Sequence, residues 1–376
     1  MTLRETIITE IRAHGPIPFS RYMELCLYDP ELGYYSRNAE QFGKSGDFYT
    51  SSDVHAVFGR LLARQFEEMW RVLKSPRNIE ILELGPGRGL FAQDVLDWSE
   101  KKFSGFFAAM HYSLCERSHV LRERLQKTLS RHFSMGKASV AQDFNASHSS
   151  DGPTIIFANE FFDALPVEVR SAQGELRIDQ KDGRFVETWV PATAEELDFL
   201  DRYGVHPENG ERIEIPLIAQ RYVTEAAASI QHGFLIAIDY GYTRDELLAG
   251  RHRGTVMAYR QHSASANPYE APGEQDITAH VNFTALAAAA EQQGMKVHPL
   301  LTQSQFLLGI GEQNQFADAF EECHLPQERA KVALQLKHLV TPAGMGETFH
   351  VLVASKGVSQ GAFKNLSGLS FGKNPN

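Results

Sequence analysis

Beyond the helix breaker Ser75-Pro76, the sequence alternates short apolar runs with helical stretches, and this alternation restricts the chain to few folds. Strands separated by helices form βαβ units, so the pattern predicts an α/β fold with a mostly parallel sheet. One sheet with added segments accounts for the 376 residues better than two independent domains would. We predict seven strands, at Ile79–Leu84, His111–Cys115, Ala138–Ala141, Thr154–Ala158, Gly233–Ile238, Lys296–Leu300 and Phe349–Ala354.

The predicted sheet domain comprises residues 76–166 and 216–356, and three other segments depart from its pattern. Residues 1–75 are expected to form an N-terminal helical segment with a lid loop, and they include a long amphipathic helix from Val54 to Leu73. Residues 167–215 carry strand-like runs separated by turns, which predict a small β insertion. The Gly-, Ser- and Asn-rich residues 357–376 predict a disordered tail.

Composition argues against several classes of protein. Thirty-seven Lys and Arg against 47 Asp and Glu give a net charge of −10, which disfavours binding to a nucleic-acid backbone. Three widely spaced cysteines provide neither a disulfide framework nor a zinc site, so we expect no metal and a reducing compartment. With no signal-like or membrane-spanning apolar stretch, the expected location is the cytoplasm, without membrane insertion.

The most informative local feature is Glu83-Leu84-Gly85-Pro86-Gly87-Arg88-Gly89, which follows an apolar strand and precedes a helix. Glycines at Gly85, Gly87 and Gly89 allow a tight turn and a close approach of backbone to ligand at the positive end of the helix. A dinucleotide fingerprint needs its third glycine one position later, where Leu90 stands. A tight turn without a ligand is the plainer alternative.

Glu83 bears on the identity of the ligand. Its carboxylate would repel a pyrophosphate, whereas it would attract the ammonium and sulfonium charges of S-adenosylmethionine. The loop therefore favours S-adenosylmethionine over NAD as cofactor.

Two further strand ends carry candidate cofactor-binding residues. Glu116 follows the second strand, where a carboxylate can accept hydrogen bonds from both ribose hydroxyls. Asp143 and Phe144 follow the third strand and could contact an adenine amino group and cover the ring. An acid that starts a helix and a simple turn are the respective structural alternatives.

The fourth strand leads into Asn159-Glu160-Phe161-Phe162-Asp163, at the edge of the sheet where α/β proteins hold reacting groups. Asn159 could meet the amino-acid end of the cofactor, and Glu160 or Asp163 could hold a cationic nucleophile. A helix cap, first-turn acids and core phenylalanines explain the same residues without function. Asp239, at the next strand end, is the third candidate catalytic carboxylate.

These residues resemble the MidA-like family of class I S-adenosylmethionine-dependent methyltransferases. The resemblance extends over most of the chain and depends on several sequence blocks: Tyr28-Asp29-Pro30 with Gly33-Tyr34-Tyr35, Gly46-Asp47-Phe48-Tyr49-Thr50-Ser51, the Glu83 to Gly89 loop, Asn159 to Pro166, Ile238-Asp239-Tyr240-Gly241, and Pro272 to Thr278 with His280-Val281.

The resemblance implies a seven-stranded Rossmann-like methyltransferase sheet with an antiparallel last strand, and methyl transfer from S-adenosylmethionine to protein arginine. It also implies a protein partner, with a respiratory-complex subunit as one candidate. Separately, Gly46, Phe48 and Thr50 could contact the cofactor from a lid, because a Gly-flanked aromatic loop before a long rigid helix suits that role. Carboxylates that clamp a guanidinium can expose one nitrogen for in-line attack. The sequence does not decide the oligomeric state, for which a homodimer is one option.

Two other functions remain open at this point. The chain could be a non-catalytic assembly factor that keeps a methyltransferase fold and binds a partner through residues 167–215 and a long loop over residues 244–281. It could also be an amino-methyltransferase of a nucleic-acid base, although Asn159-Glu160-Phe161-Phe162 lacks the prolines of that motif.

Overall fold

The computed structural model describes residues 1–37, 56–147, 152–248, 254–260 and 263–371. These residues form two compact units. The first unit consists of the described residues within Met1–Phe48, Phe161–Val223 and Gly241–Ala289. The second consists of those within Tyr49–Glu160, Thr224–Tyr240 and Ala290–Asn376. Each unit has hydrophobic core clusters of its own.

The strands are numbered in chain order. They are β1 (Ile17–Pro18), β2 (Ile79–Leu84), β3 (Met110–Cys115), β4 (Ala138–Ala141), β5 (Thr154–Asn159), β6 (Glu168–Ser171), β7 (Gly174–Lys181), β8 (Arg184–Val190), β9 (Ile213–Ile215), β10 (Gly233–Tyr242), β11 (Met257–Arg260), β12 (Ser263–Ser265), β13 (Asp276–Thr278), β14 (Val281–Asn282), β15 (Lys296–Val297), β16 (Leu301–Thr302) and β17 (Phe349–Lys356).

The helices follow the same convention, and short 3-10 turns occur at Tyr34–Ser36 and Ser367–Leu369. They are α1 (Leu3–His14), α2 (Phe19–Tyr28), α3 (Val57–Val72), α4 (Leu90–Lys102), α5 (Ser104–Ala109), α6 (His119–Thr128), α7 (Ser130–Ser134), α8 (Phe144–Ser147), α9 (Ala194–Tyr203), α10 (Leu217–Ser229), α11 (Arg244–Leu248), α12 (Phe283–Gln292), α13 (Gln303–Glu312), α14 (Ala317–Phe320), α15 (Pro326–Val340) and α16 (Gln360–Lys364).

The second unit is built on a sheet with the strand order β15-β17-β10-β5-β2-β3-β4. The neighbours from β10 to β4 run parallel, whereas β17 runs antiparallel to β10. Chain order reverses between β2 and β5, so the carboxyl ends of these two strands border the switch point where α/β sheets bind ligands. The predicted α/β fold class and the antiparallel last strand are confirmed.

The predicted strand Lys296–Leu300 is wrong in its extent. The structure has two short strands there, β15 and β16, which both pair with β17. Pro299 lies between them and has no N–H to donate to a sheet ladder, which explains the interruption.

The first unit contains a sheet with the order β1-β7-β6-β9, in which β8 also pairs with β7. A three-stranded sheet, β12-β11-β13, comes from the segment that the sequence suggested to be a long loop. Buried Ile7 and Ile11 of α1, with Tyr22 and Met23 of α2, belong to the same core cluster as Leu176 and Ile178 of β7.

The predicted domain boundaries differ from this grouping. Residues 167–215 are not a separate insertion, because β1 near the N-terminus pairs with β7 and joins them to α1 and α2. Nor is α3 part of an N-terminal helical segment, since its apolar face, including Phe58 and Phe66, lies in the core of the second unit. The boundary at residue 75 is therefore wrong, and α9 was not predicted.

The prediction of a disordered tail is wrong for residues 357–371. Phe363, Leu366 and Leu369 are buried in the core of the second unit. The backbone N–H of Gly368 donates to Gln65 Oε1 at 2.9 Å, and the hydroxyl of Ser367 donates to Glu68 at 2.6 Å. These three apolar side chains, spaced along a polar segment, indicate that the segment packs. The average composition of the segment does not show them.

Candidate functional site

The glycine loop after β2 has the backbone geometry that its sequence requires. Gly85, Gly87 and Gly89 have φ angles of 66°, 54° and 76°, a left-handed region that other residues enter at a cost. Gly89 is the N-cap residue of α4, and a Cβ added there would lie 3.2 Å from Leu125 Cγ. The loop thus presents the amino end of a 13-residue helix at the carboxyl edge of the sheet.

Glu116 lies directly after β3 and is 8% exposed. Its Oε1 accepts a hydrogen bond of 2.8 Å from the backbone N–H of Ser118, and the N–H groups of Gly87 and Arg117 also donate to it. Burial raises the pKa of Glu116 to about 7, although these donors act in the opposite direction. Glu116 therefore connects the end of β3 to the glycine loop.

Glu83, the penultimate residue of β2, is 4% exposed. The hydroxyl of Tyr112 on neighbouring β3 donates to Glu83 Oε2 at 3.0 Å. Burial, assisted by the negative charge of Glu116, raises the pKa of Glu83 to about 8, while the Tyr112 bond lowers it. Two buried carboxyls beside one loop favour a ligand that carries positive charge and hydroxyl donors.

Asp143 and Phe144 follow β4, as predicted, and have roles in the local structure. Asp143 Oδ1 accepts a hydrogen bond of 2.8 Å from the N–H of Ala146, which caps the short helix α8. Phe144 is 7% exposed. Contact of these side chains with an adenine stays a prediction.

Asn159 ends β5 and is followed by a strained residue. Asn159 Nδ2 donates to Glu160 Oε1 at 3.1 Å, and Asn159 Oδ1 is buried without a hydrogen-bond partner. Glu160 has φ 49°, a conformation that costs a non-glycine residue about 1–3 kcal/mol and tends to occur at functional sites. The Glu160 N–H donates to the carbonyl of Ile238 at 2.9 Å.

Asp239 does not end its strand, because β10 continues to Tyr242. The two residues after Asp239 continue the strand pairing: Tyr240 pairs with β17, and Gly241 pairs with β14. Asp239 is nevertheless one residue beyond the register partner of Asn159, and it is fully buried at 0% exposure. Its Oδ1 accepts the N–H of Tyr240 at 3.0 Å. Glu160 and Asp239 therefore occupy adjacent positions on two neighbouring strands.

Asp163 lies in the first unit, in a turn after β5, and is 6% exposed. Its backbone carbonyl accepts a hydrogen bond of 2.9 Å from the N–H of Ala279. Asp276 of β13 accepts the hydroxyl of Tyr35 at 3.0 Å. Burial, followed by the charges of Asp276 and Asp163, raises the pKa of Tyr35 well above its usual value, which indicates that both acids lie near this ring.

Sequence reasoning identified some of these residues and missed others. The predicted Gly46, Phe48 and Thr50 lie outside the residues that the structure describes. Tyr112 was missed, although strand alternation places it on the same face of the sheet as Glu83 and signals the contact. Asp276, within a block already recognised, was also not among the predicted site residues.

Comparison with known proteins gives one family and several relatives. Residues 61–301 match the family described as S-adenosyl-L-methionine-dependent methyltransferase. A solved structure from Burkholderia thailandensis, with S-adenosyl-homocysteine bound, is 30% identical with a TM-score of 0.83, covering 96% of this chain and 94% of that one. A native crystal structure from the same organism has 28% identity and a TM-score of 0.81, covering 98% and 94% of the two chains.

Curated relatives are similar over nearly the whole chain. The Drosophila melanogaster relative, named "Protein arginine methyltransferase NDUFAF7 homolog, mitochondrial", is 28% identical over 95% of this chain and 85% of its own length. The Homo sapiens relative, "Protein arginine methyltransferase NDUFAF7, mitochondrial", is 25% identical over 92% of this chain and 81% of its own.

Proposed function

The chain belongs to the family of S-adenosyl-L-methionine-dependent methyltransferases, and from this we propose that it methylates arginine side chains of a protein substrate. The observation that carries the choice of arginine is the similarity to a named protein arginine methyltransferase over 95% of this chain. Buried Asp239 of β10 and partly buried Glu160 after β5 agree with a guanidinium acceptor, because a cation in a low-dielectric site needs counter-charge.

S-adenosylmethionine is the cofactor, and the residues of the second unit fit it. Asn159 has a buried oxygen without a partner, which an ammonium group would satisfy. We propose that Asn159 and the glycine loop hold the amino-acid end, Glu83 lies near its positive charge, and Glu116 accepts the ribose hydroxyls. When bound, the cofactor supplies an electrophilic methyl group.

The protein then has to orient the acceptor nitrogen. Methyl transfer is an in-line displacement, so alignment and exclusion of water contribute most of the rate. We propose that Glu160 and Asp239 accept hydrogen bonds from guanidinium N–H groups and leave one nitrogen directed at the methyl carbon. The strained backbone of Glu160 supports this assignment, since its side-chain direction depends on that conformation.

Cofactor binding is expected to release a proton from Glu83. With a pKa of about 8, this carboxyl is mostly protonated at pH 6.5, and a cationic ligand favours its ionised form. Because binding removes the proton, the affinity for S-adenosylmethionine rises with pH up to about 8. Between pH 6 and 7 it rises nearly tenfold. Calorimetry at pH 6.5 in buffers of different ionisation enthalpy measures the proton count.

Glu83→Gln provides the control for that titration. The ammonium group of the ligand titrates equally with both proteins, so the difference between them belongs to Glu83. Equal proton release from the wild type and Glu83→Gln would contradict a role for Glu83 near the positive charge.

The proposed activity is tested by transfer of tritiated methyl from S-adenosylmethionine into protein extract from a strain that lacks the gene. After acid hydrolysis, chromatography of the amino acids is expected to place the label in methylarginine. Label in another amino acid or in nucleic acid would refute arginine as the acceptor. Cofactor binding with no labelled product in any extract would instead favour an assembly factor without enzymatic activity.

Partner, assembly and location are further parts of this proposal. A respiratory-complex subunit is the first acceptor to test, on the resemblance of the sequence blocks. A homodimer stays a prediction that analytical ultracentrifugation can decide. The three cysteines are widely spaced in the sequence and offer no disulfide framework, which supports our proposal of a reducing compartment such as the cytoplasm. Among the described residues no helix is both long and apolar enough to span a membrane.

A further inference from the structure

Methylation of a guanidinium has to release a proton, and the following inference rests on the proposed arginine activity. Arginine is a cation at every relevant pH, and its methylated product is a cation too. As the new N–C bond forms, the C–S bond breaks with its electron pair left on sulfur, which loses its positive charge. One N–H bond of the guanidinium must break in turn, with its electron pair left on nitrogen, so a proton needs an acceptor.

His350 lies where such an acceptor would be useful. In the antiparallel pair of β10 and β17, Asp239 is the register partner of His350. Directly opposite residues have Cβ atoms about 5 Å apart and project from the same face of the sheet. β17 begins at Phe349, so His350 lies at the end of β17 that adjoins the carboxyl end of β10.

The alternation of side chains shows which face the pair occupies. Ile236 and Ile238 of β10, with Val351 and Val353 of β17, belong to the core cluster on one face. Asp239 and His350 alternate with these residues and therefore project from the other face. Asp239 is fully buried, whereas His350 is partly exposed. Its Nδ1 is buried, so exchange of a proton with solvent is left to Nε2.

Two residues of the neighbouring strands are register partners of His350. Asp239 lies opposite it on β10, and Glu160 follows β5 beside Asp239. β16 places Thr302, which does not titrate, against His350. Strand β15 pairs at the opposite end of β17, where Lys296 lies against Ser355.

We propose that Asp239 and His350 form the proton acceptor of methyl transfer. Asp239 accepts a hydrogen bond from the guanidinium, and the released proton moves across Asp239 to the imidazole, which is the more basic group of the two. A histidine is suited to this task because its ordinary pKa lies near neutral pH. His350 acts through Asp239 and is therefore a positioning and proton-holding residue.

The pairing is tested first without any acceptor substrate, by NMR titration of the histidine rings. The His350 signal is identified by its loss in His350→Gln. We expect the imidazole pKa to lie above the ordinary value of about 6.5, and to fall by about one unit in Asp239→Asn. A pKa of His350 that is unchanged in folded Asp239→Asn would overturn the pairing.

The second test follows the rate of methyl transfer, and it does not depend on whether Asp239→Asn folds. Single-turnover transfer into extract protein from the deletion strain is followed from pH 5.5 to 9 at saturating S-adenosylmethionine. The wild-type rate is expected to rise to the measured pKa of His350 and then level off. His350→Gln is expected to be about 100-fold slower at pH 7, and its rate should keep rising to pH 9 because hydroxide is then the acceptor.

Several controls separate this inference from the proposed function. His111→Gln removes an exposed imidazole from β3 of the same sheet and is expected to keep the wild-type profile. Affinity for S-adenosylmethionine should stay within twofold in both variants.

If the wild type labels a residue other than arginine, or labels nothing, the proposed function is refuted, and the role of His350 with it. Label in arginine with the same pH profile in wild type and His350→Gln overturns only the role of His350.

Discussion

Gly87→Val is expected to weaken S-adenosylmethionine binding by at least about 100-fold while the protein stays folded, which corresponds to about 2.7 kcal/mol. Gly87 has φ 54°, and a β-branched residue is strongly disfavoured in that region. Relief of the strain would turn the loop and remove its N–H from Glu116, the proposed ribose ligand. Calorimetry with S-adenosylmethionine measures the loss.

Gly136→Val is the matched control for backbone strain. Gly136 also has a positive φ, 65°, and a Cβ there would meet no atom within 4 Å. The residue lies before β4, outside the cofactor loop, so this variant should lose stability but keep its affinity. If both variants lose affinity equally, strain alone explains the effect and the loop loses its assigned role.

Asp318→Ala is expected to lower the free energy of unfolding of the second unit by about 3–5 kcal/mol. Asp318 is 2% exposed and forms an ion pair with Arg64, in which Oδ1 accepts from Nη2 at 3.1 Å. It also accepts from Trp98 Nε1 at 3.2 Å and from Asn314 Nδ2 at 2.6 Å. Its removal leaves a half-buried guanidinium and two donors without an acceptor.

Urea titration followed by tryptophan fluorescence measures this loss, because Trp98 contacts Asp318 directly. Asp198→Ala is the control: Asp198 pairs with Arg202 within α9, and both side chains are more than half exposed, at 58% and 57%. An exposed pair of this kind contributes at most about 0.5 kcal/mol. A comparable shift in the urea midpoints of the two variants would contradict the account of Asp318.

The sheet was predictable because its strands are short apolar runs bounded by turns and helices. β2 and β4 have the predicted bounds, and β3 differs by one residue. The longer β10 and the divided β15 and β16 were predicted less well, since strand ends depend on pairing partners and on a single proline. Local pattern determines that a strand exists, and tertiary contacts determine where it ends.

The grouping into units was not predictable, because it depends on contacts between distant parts of the chain. No local signal indicates that Ile17 pairs with Ile178 across 161 residues of sequence. Similarly, the buried side chains of residues 357–371 are dispersed among residues typical of disorder. A few apolar positions determine whether such a segment packs against the core. An average composition does not show those positions.

Sequence patterns propose more residues on the cofactor side of the candidate site than on the acceptor side, and the roles of these residues stay predictions. Glycine spacing and a carboxylate near the end of each of two strands predict the loop, Glu83 and Glu116 from sequence alone. The hydrogen bond from Tyr112 to Glu83 can be recognised only when the register between β2 and β3 is known. His350 likewise depends on the register of an antiparallel strand more than a hundred residues after Asp239.

The measurement that tests the central claim most directly is proteome-wide mass spectrometry of arginine methylation. It compares strains that carry the wild-type gene, a deletion, Gly87→Val or Gly136→Val. The account predicts at least one arginine site that is methylated with the wild type and with Gly136→Val, and unmethylated in the deletion and with Gly87→Val. Identical arginine methylation in all four strains, or a difference confined to another type of residue, would contradict it.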